Sequence, residues 1–306
     1  MKSLFKYMLL TIVLIWILLW FNQKLDVYKI KSNNKILILT TTRSGSSFLG
    51  EIFNSQNNVF YLFEPLWHLN NFGKEYVRIL KNLFACKITV LRKYLTQNFF
   101  FKRNYSKALC KPDRTCSYSL KGDQKYACEG LKCKPLDLDD ASVYCREFDT
   151  VVIKTVRIRN KTQALQLINS DVKIIHLVRD PRGSFNSKIK TFDRNYNFRE
   201  ISKICQDDVD IYKTLADKFG RYYVLRYEDL VLNPHKELIN LFSFCKLPFD
   251  EDVIKTVNKL MTKDQSGPYS IGKARPNVWK KELSEFKVLT IEKACLSYME
   301  TFNFFP

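Results

Sequence analysis

The sequence predicts an α/β fold in three layers, with helices on both faces of a central, mostly parallel sheet, preceded by one N-terminal transmembrane helix. Short apolar runs typical of buried strands alternate with segments of helical periodicity, and that alternation favours a parallel sheet. Two of the apolar runs lead directly into turns made of Arg, Ser and Gly. A long uncharged run stands near the N-terminus, and its apolar character predicts a membrane span.

Five short apolar runs are predicted to be strands, because turn residues bound each of them. They occupy residues 35–40, 59–63, 151–156, 172–178 and 222–226. Apolar residues at helical spacing predict helices over residues 46–54, 73–98, 162–168, 198–219, 234–245, 251–261 and 292–302. In a parallel sheet, ligands bind beyond the edge where the strands end. The loops at 41–47, 64–68, 179–187 and 227–229 should therefore meet there.

The uncharged run at residues 7–23 contains MLLTIVLIWILLWF and follows Lys2 and Lys6. It is short for a span, which needs about 20 residues with a range near 17–25. The residues at 20–22 do not fit a signal-peptide cleavage site. Because a positive flank stays in the cytosol, we predict a cytosolic tail (1–6), an uncleaved signal anchor (7–23), a stem (24–34) and a lumenal domain (35–306). A cleaved signal peptide and a buried core helix are the alternatives.

The chain is strongly basic, with 50 Lys and Arg residues against 31 Asp and Glu residues and a formal net charge of +19. This balance predicts either a solvated basic surface or a polyanionic partner, such as nucleic acid, an acidic membrane or an acidic polysaccharide. No nucleic-acid-binding motif stands in the sequence, so we expect no nucleic-acid partner. No linker rich in Gly, Ser or Pro divides the chain, which predicts one large domain.

Five of the nine cysteines fall within residues 110–145, in a polar stretch. This pattern predicts an insert at about 104–146 that disulfides hold together in an oxidising compartment. Zinc is the alternative, although neither the cysteine spacing nor the dispersed histidines match a zinc motif. The odd count leaves at least one cysteine unpaired. Sequons at Asn104 and Asn160 are compatible with a glycosylated lumenal domain.

The turn at residues 41–47 (TTRSGSS) has the composition of an anion site. Arg43 offers a bidentate guanidinium, and Gly45 lets the backbone approach a ligand closely. Ser46 and Ser47 would present N–H and O–H groups at a helix N-terminus, where the helix dipole favours negative charge. A phosphate-binding P-loop would carry a lysine after the glycine, and this turn has none. An ordinary capped helix is the alternative.

The second such turn lies within residues 177–187 (LVRDPRGSFNS). Arg179 leaves the strand and Ser187 follows eight residues later, an arrangement that could clamp another phosphate-like group. Helix capping alone explains Asp180 as N-cap and Pro181 as the first helical residue. Two anion-binding turns at one sheet edge predict a ligand with negative charge at two places.

Five segments in order carry a resemblance to a known family: TTRSGSSFLGEIFN (41–54), VFYLFEPLWH (59–68), VIKTVRIR (152–159), LVRDPRGSFNSK (177–188) and RYEDL (226–230). Through them the chain resembles the membrane-anchored carbohydrate 6-O-sulfotransferases, and the chondroitin and keratan enzymes look nearest. The resemblance runs from about residue 35 to the C-terminus and includes the cysteine-rich insert. It implies a P-loop-like fold, a type II Golgi membrane protein, the donor 3′-phosphoadenosine 5′-phosphosulfate (PAPS), a glycan acceptor and no metal.

In that family the first turn binds the 5′-phosphosulfate of the donor and the second binds its 3′-phosphate. The resemblance thus implies donor contacts from Arg43, Ser44, Gly45, Ser46 and Ser47 at one end, and from Arg179 and Ser187 at the other. The sequence departs from the family at SIGKARPNVWK (270–280), where a longer loop usually precedes a Trp-Arg pair. Lys273 and Arg275 are the candidates to reach the nucleotide from there. Cys245 looks extra to the family pattern, so we expect it to be the unpaired thiol.

Transfer to a sugar hydroxyl needs a base that accepts its proton, and Glu64 and His68 are the candidates. Apolar sequence neighbours would suit Glu64 to this work, whereas pairing with a nearby cation is the alternative. Arg43 is a third catalytic candidate, through charge stabilisation. Trp67 could stack on a sugar face or pack in the core.

Lys154 is a polar residue on an otherwise apolar strand, which indicates a role in the site because buried lysine is rare unless paired. Glu228 or Asp229 is expected to hold Arg43 or another arginine of the loops. The predicted reaction is in-line transfer of a sulfuryl group from PAPS to the 6-hydroxyl of a hexose or N-acetylhexosamine in a chondroitin- or keratan-type glycan. A lumenal P-loop-type sugar kinase and a catalytically inactive basic glycan-binding protein are the alternatives.

Overall fold

The computed structural model describes residues 16, 34–66, 73–94, 106–110, 137–262 and 276–305. The chain divides into two units, Met1–Ser32 and Asn33–Pro306, and the second holds every described residue except Trp16. Among the described residues, no helix is both long and apolar enough to cross a bilayer. The predicted anchor at 7–23, apart from Trp16, and most of the cysteine-rich insert lie outside these residues.

Five parallel strands form one sheet: β1 (Asn34–Thr40), β2 (Val59–Phe63), β3 (Thr150–Thr155), β4 (Val172–Val178) and β5 (Tyr222–Arg226). Their order across the sheet is β2-β3-β1-β4-β5, which puts β1 in the centre. Every pairing is parallel, so all five carboxyl ends share one edge. The predicted strands and the parallel sheet are confirmed, with end points that differ by no more than one residue.

Twelve α-helices lie in the described part of the chain. They are α1 (Ser46–Asn54), α2 (Gly73–Phe84), α3 (Leu138–Cys145), α4 (Lys161–Ile168), α5 (Pro181–Phe192), α6 (Phe198–Leu215), α7 (Tyr227–Leu232), α8 (Pro234–Cys245), α9 (Glu251–Thr262), α10 (Trp279–Glu282), α11 (Glu285–Ala294) and α12 (Leu296–Thr301). Two 3₁₀ segments, Ile88–Tyr94 and Lys107–Cys110, complete the elements described.

Alternate side chains of β1 enter two separate cores, because successive residues of a strand point to opposite faces of the sheet. Ile36 and Ile38 pack with α1, α8 and α9 on one face. Leu37 and Leu39 pack with α2, α3 and α4 on the other. All four side chains are fully buried. The sheet is therefore covered on both sides, as the predicted three-layer arrangement requires.

Two predicted helices are each broken once, which corrects the sequence analysis. The helix predicted at 73–98 ends at Phe84, and Cys86 takes a left-handed conformation (φ 54°) before the 3₁₀ segment begins. The helix predicted at 292–302 is two helices, α11 and α12, separated at Cys295. Each break falls at a cysteine that forms a disulfide, and helical periodicity alone does not reveal such a constraint.

The two described disulfides, Cys86–Cys145 and Cys205–Cys295, join elements distant in the chain. Cys145 therefore pairs with a cysteine that precedes the insert, not with one inside it. The side chains of the other four insert cysteines lie outside the described residues. Cys245 is buried and unpaired, which confirms the expectation for this thiol, and burial raises its pKa to about 12.

Candidate active site

The turn after β1 is held together from inside. Ser44 is fully buried; its hydroxyl contacts the Thr40 hydroxyl and donates to the carbonyl oxygen of Thr41 at 2.8 Å. The Thr40 hydroxyl also donates to the carbonyl oxygen of Leu177 in β4, at 2.8 Å. The Ser44 hydroxyl is thus used within the turn, so any ligand contact at this position falls to its backbone N–H.

The turn ends at Gly45, which adopts a left-handed conformation (φ 85°) and precedes the first residue of α1. A Cβ at this position would lie 2.3 Å from Cδ2 of Tyr227, so the close approach of Tyr227 also requires glycine. No side chain caps α1, and the first N–H groups of a helix have no acceptor within it. Those of Ser46 and Ser47 therefore form the kind of helix N-terminus that binds anions.

Arg43 and Arg179, which follow adjacent strands, lie side by side. Nη1 of Arg179 donates to the carbonyl oxygen of Arg43 at 2.8 Å, and Nε of Arg43 donates to the hydroxyl of Ser187 at 3.0 Å. The Arg179 guanidinium stacks on the ring of Tyr227, 4.4 Å from its centroid. The two predicted anion-binding turns therefore meet at the β1–β4 edge.

The turn after β4 is fixed on three sides. Asp180 caps α5 by accepting from the N–H of Arg182 at 2.8 Å, with Pro181 as the first helical residue. The hydroxyl of Tyr298 in α12 lies 3.2 Å from the N and 3.1 Å from the O of Arg179. Glu228 in α7 accepts from the N–H of Asp180 at 3.1 Å. These contacts hold the backbone of Arg179 while its guanidinium faces the neighbouring turn.

Arg182 belongs to the same turn but serves the fold. Its guanidinium pairs with Asp180 and with Glu292 in α11, each at 2.8 Å. It also donates to the carbonyl oxygen of Phe304 at 2.8 Å and stacks 4.2 Å from the ring centroid of Trp279. This arginine ties the C-terminal helices to the start of α5.

A cavity of about 320 Å³ opens beside the two arginines. Arg43, Arg179, Ser187 and Tyr227 line one part of it, and Trp279 lines another. Asn186, Lys190 and Glu282 are further lining residues, and the Glu282 carboxylate accepts from the other two side chains. This volume lies at the lower end of the range of about 300–1,000 Å³ that is common for ligand sites.

The positive charges in this cavity are only partly paired with carboxylates. Among the described residues, no carboxylate forms an ion pair with Arg43 or Arg179. Burial, together with the nearby charge of Arg179, lowers the pKa of Arg43. Two adjacent guanidinium groups repel one another, so an anion between them would relieve a cost that the protein alone carries.

Glu64 lies on the same edge of the sheet but at its end strand, β2. Its carboxylate is ion-paired with Lys154 of β3, whose side chain is almost fully buried and stacks 4.3 Å from the ring centroid of Phe63. The N–H of Glu64 donates to the carbonyl oxygen of Lys154 at 2.8 Å, and Glu64 has a φ of 40°. The carboxylate of Glu64 therefore has a cation as its partner, which is the alternative given above, and the apolar ring of Phe63 packs against that cation.

The strand order sets the backbone separation between Glu64, which follows β2, and Arg43, which follows β1. Neighbouring strands lie about 4.8 Å apart, so β2 and β1, with β3 between them, are roughly 10 Å apart. In the described part of the chain, Glu64 forms an ion pair with Lys154 and none with Arg43 or Arg179, although it faces the same edge. An acceptor lying across the end of β3 would reach from one to the other.

Other predicted site residues have varied outcomes. His68, Trp67, Lys273 and Arg275 lie outside the described residues, so their roles stay predictions. The carboxylates after β5 do not hold Arg43: Glu228 contacts the backbone of Asp180, and Asp229 pairs with Arg226 at 3.4 Å. Burial raises the pKa of Glu228 to about 7.

The sequence analysis missed several residues of the cavity. Tyr227 stands in the RYEDL segment, and an aromatic residue directly after a strand could have indicated a stacking partner for a loop arginine. On α5, Asn186 lies one turn after Gly183 and Lys190 lies one turn after Ser187. Helical spacing would therefore have indicated both residues. Trp279 stands in the segment 270–280 that the sequence analysis singled out, but that analysis named Lys273 and Arg275 there and not the tryptophan ring.

Comparisons with known proteins identify the family of the chain. The family described as "Sulfotransferase domain" matches residues 33–267. Carbohydrate sulfotransferase 3 of Mus musculus is 30% identical over 318 residues, covering 88% of this chain and 67% of that protein. Carbohydrate sulfotransferase 1 of Homo sapiens is 30% identical over 324 residues, covering 88% and 78%. A solved sulfotransferase domain from the curacin biosynthetic pathway is 16% identical with a TM-score of 0.48, covering 89% and 98%; that likeness is too remote to add to the identification.

Proposed function

The chain belongs to the sulfotransferase family, and from this premise we propose that it transfers a sulfuryl group from PAPS to the 6-hydroxyl of a hexose or N-acetylhexosamine in a glycan of the chondroitin or keratan type. The two relatives named above are carbohydrate sulfotransferases at about 30% identity over most of the chain. A PAPS-dependent carbohydrate sulfotransferase is therefore favoured over a sugar kinase or an inactive glycan-binding protein.

One observation carries the assignment of the donor site: Arg43 and Arg179 stand side by side at the ends of adjacent strands, without an ion-paired carboxylate in the described part of the chain. PAPS carries negative charge at its 5′-phosphosulfate and at its 3′-phosphate. A ligand charged at both ends fits two cationic turns better than a singly charged ligand does.

We assign the 5′ end of the donor to Arg43 and to the backbone N–H groups from Ser44 to Ser47. Bound PAPS supplies a sulfuryl group whose bond to the 5′-phosphate oxygen breaks as the sugar oxygen attacks the sulfur. Arg43 and the N-terminus of α1 would stabilise the charge that grows on that phosphate oxygen. Arg179 and Ser187 are assigned to the 3′-phosphate, where they fix the position of the nucleotide.

We assign the base to Glu64, which would accept the proton of the attacking 6-hydroxyl. Lys154 holds one carboxylate oxygen, Oε1, so it orients the side chain and leaves the other oxygen for the sugar. His68 remains the second candidate, since it follows Glu64 by four residues in the same segment.

We also propose that residues 7–23 anchor the protein in the Golgi membrane with residues 35–306 in the lumen. The disulfides Cys86–Cys145 and Cys205–Cys295 support an oxidising compartment. Protease protection of intact vesicles tests this address, because a lumenal domain resists digestion until detergent is added. Digestion before detergent would contradict it.

The function is tested by incubating the protein with sulfate-labelled PAPS and a panel of desulfated glycans, followed by positional analysis of the product. We expect label at the 6-position of one sugar type. Thermal shifts with the desulfated donor and with ATP form the control, since a ligand stabilises the form that binds it. Stabilisation by ATP alone, or donor binding with no transfer to any glycan, would contradict the proposal.

A further inference from the structure

A second cavity, of about 620 Å³, lies at the carboxyl edge of β3, against residues 156–160. Its other walls come from α2, α4 and α6, which contribute Tyr76, Gln163 and Lys203. The volume falls within the range of about 300–1,000 Å³ typical of small-molecule sites. The donor assignment above leaves this cavity unused.

The charged side chains in the described walls of this cavity are all cations: Arg157, Arg159 and Lys203. Neutral amides and a hydroxyl accompany them, from Asn160, Thr162, Gln163 and Gln166. Amides and hydroxyls both donate and accept hydrogen bonds, as sugar hydroxyls require, whereas cations select carboxylates and sulfates. The lining therefore suits an acidic sugar better than a neutral one.

Neighbouring carboxylates pair with two of these cations, Arg159 and Lys203. Nη1 of Arg159 donates to Oδ1 of Asp208 at 2.8 Å, and its Nη2 donates to the carbonyl oxygen of Ile204 at 2.7 Å. Asp207 lies 3.8 Å from Nε of Arg159 and 3.3 Å from Nζ of Lys203. These acids offset part of the positive charge, so the cavity should orient an anion with moderate affinity.

The cavity adjoins the turn that carries Glu64. The hydroxyl of Tyr76, in the cavity wall, donates to the carbonyl oxygen of Pro65 at 3.1 Å and lies 2.7 Å from Oγ1 of Thr155. Pro65 directly follows Glu64, so a sugar seated against Tyr76 lies next to the turn of the candidate base.

The cavity also lies near the donor pocket. Lys188 follows Ser187 in α5 and is only 2% exposed. Burial, and the nearby charges of Arg159 and Arg179, lower the pKa of Lys188 to about 7. Arg159 lines this cavity and Arg179 lines the donor pocket, so the charge of one residue from each site acts on Lys188.

We propose that this cavity is an acceptor subsite that binds the anionic group, a carboxylate or a sulfate ester, of a sugar next to the one that is sulfated. The inference rests on the proposed function and adds a charge requirement to it. The enzyme then prefers a glycan that is already acidic. Arg157 and Lys203 bind the anionic group of the neighbouring sugar, while the 6-hydroxyl of the sugar to be sulfated lies at Glu64.

The test compares the double variant Arg157→Gln and Lys203→Gln with the control Lys213→Gln, which removes an exposed lysine of the same helix away from the cavity. We expect the double variant to raise the KM for an acidic glycan about tenfold, since each tenfold step corresponds to about 1.4 kcal/mol. The kcat and the KM for PAPS should stay within about twofold of the wild type and of the control.

Two pairs of acceptors identify the anion. Chondroitin is compared with carboxyl-reduced chondroitin, and partly sulfated keratan with fully desulfated keratan. If the subsite binds a carboxylate, the KM of the double variant should rise with chondroitin and should not rise with carboxyl-reduced chondroitin. If it binds a sulfate ester, the KM should rise with partly sulfated keratan and should not rise with fully desulfated keratan. An equal loss on charged and neutral acceptors, or no loss, would overturn the subsite while leaving the proposed function intact. Failure of the wild type on all four glycans would instead contradict the proposed function.

Discussion

The two ends of the carboxyl edge of the sheet differ in the partners of their positively charged side chains. At the β1–β4 end, Arg43 and Arg179 contact a hydroxyl, a carbonyl oxygen and an aromatic ring, and in the described part of the chain they have no ion-paired carboxylate. At the β2–β3 end, Lys154 is paired with Glu64, and Arg159 with Asp208. The difference teaches that, among the described residues, the first region leaves its two guanidinium charges without carboxylate partners, whereas in the second region much of the positive charge is already paired with carboxylates of the protein.

Arg179→Ala should have the largest effect on donor binding, because it removes one of the two arginines at the β1–β4 end. The variant loses the guanidinium assigned to the 3′-phosphate and its bond to the Arg43 carbonyl, so we expect donor affinity to fall about 100-fold or more. Titration calorimetry with the desulfated donor measures it. Arg179→Lys should recover only part of the loss, because lysine lacks the bidentate fork. Arg199→Ala, an exposed arginine of α6, is the control. Unchanged donor affinity in Arg179→Ala would remove the basis of the donor site.

Glu64→Gln probes the opposite end of the edge. Glutamine can still accept a hydrogen bond from Lys154 but cannot take a proton, so we expect kcat to fall about 100- to 1,000-fold. Donor affinity should stay near the wild-type value, because Glu64 does not touch the arginines, whereas the melting temperature should fall, because the buried Lys154 loses its counter-charge. Single-turnover kinetics measures the chemical step. Full activity in this variant would transfer the base assignment to His68.

Alanine variants of two serines, Ser187 and Ser44, should distinguish an effect on donor binding from an effect on stability. Ser187→Ala removes the hydroxyl that accepts from Arg43 and lines the cavity, so we expect donor affinity to drop about tenfold with little change in stability. Ser44→Ala removes a hydroxyl that is fully buried inside the turn, so it should cost about 1–2 kcal/mol of unfolding free energy. Denaturant melts and donor titrations distinguish the two. The reverse pattern would show that the Ser44 hydroxyl faces the donor.

The effect of Glu228→Gln should appear in stability and should depend on pH. Because burial raises the pKa of Glu228 from 4.5 to about 7, the folded protein binds its proton more tightly than the unfolded chain does. The wild type should therefore lose stability as pH rises from about 4.5 to about 7, by roughly 2 kcal/mol.

Glutamine keeps the acceptor for the Asp180 N–H and has no proton to lose, so the unfolding free energy of Glu228→Gln should fall less over the same interval. Melts of the donor-free proteins at several pH values check this expectation. Parallel stability curves for the two proteins would show that Glu228 does not titrate there.

The sequence was sufficient for the sheet and for the meeting of the two turns that carry Arg43 and Arg179. Continuous apolar runs define the five strands because both faces of the sheet are covered. Arg43 and Arg179 could be predicted because each lies within a few residues of a strand end, and parallel strands bring those ends together. Ser187 could be predicted because it lies on the helix that follows Arg179. Both deductions use only local pattern and general topology.

Contacts between distant segments could not be predicted. The inward direction of Ser44 depends on Thr40 and on Leu177 in another strand. The pairing of Glu64 with Lys154 joins residues 90 positions apart, so the sequence could offer a cation as an alternative partner but could not identify it as Lys154.

The hydroxyl of Tyr298 and the ring of Trp279 show that the donor pocket depends on the C-terminal helices. The family match stops at residue 267, yet both residues that support Arg179 and its cavity come later. A recombinant protein trimmed to the matched segment would keep all five strands but lose one wall of the pocket and the clamp on the Arg179 peptide. The smallest fragment able to retain the nucleotide should therefore extend to about residue 305.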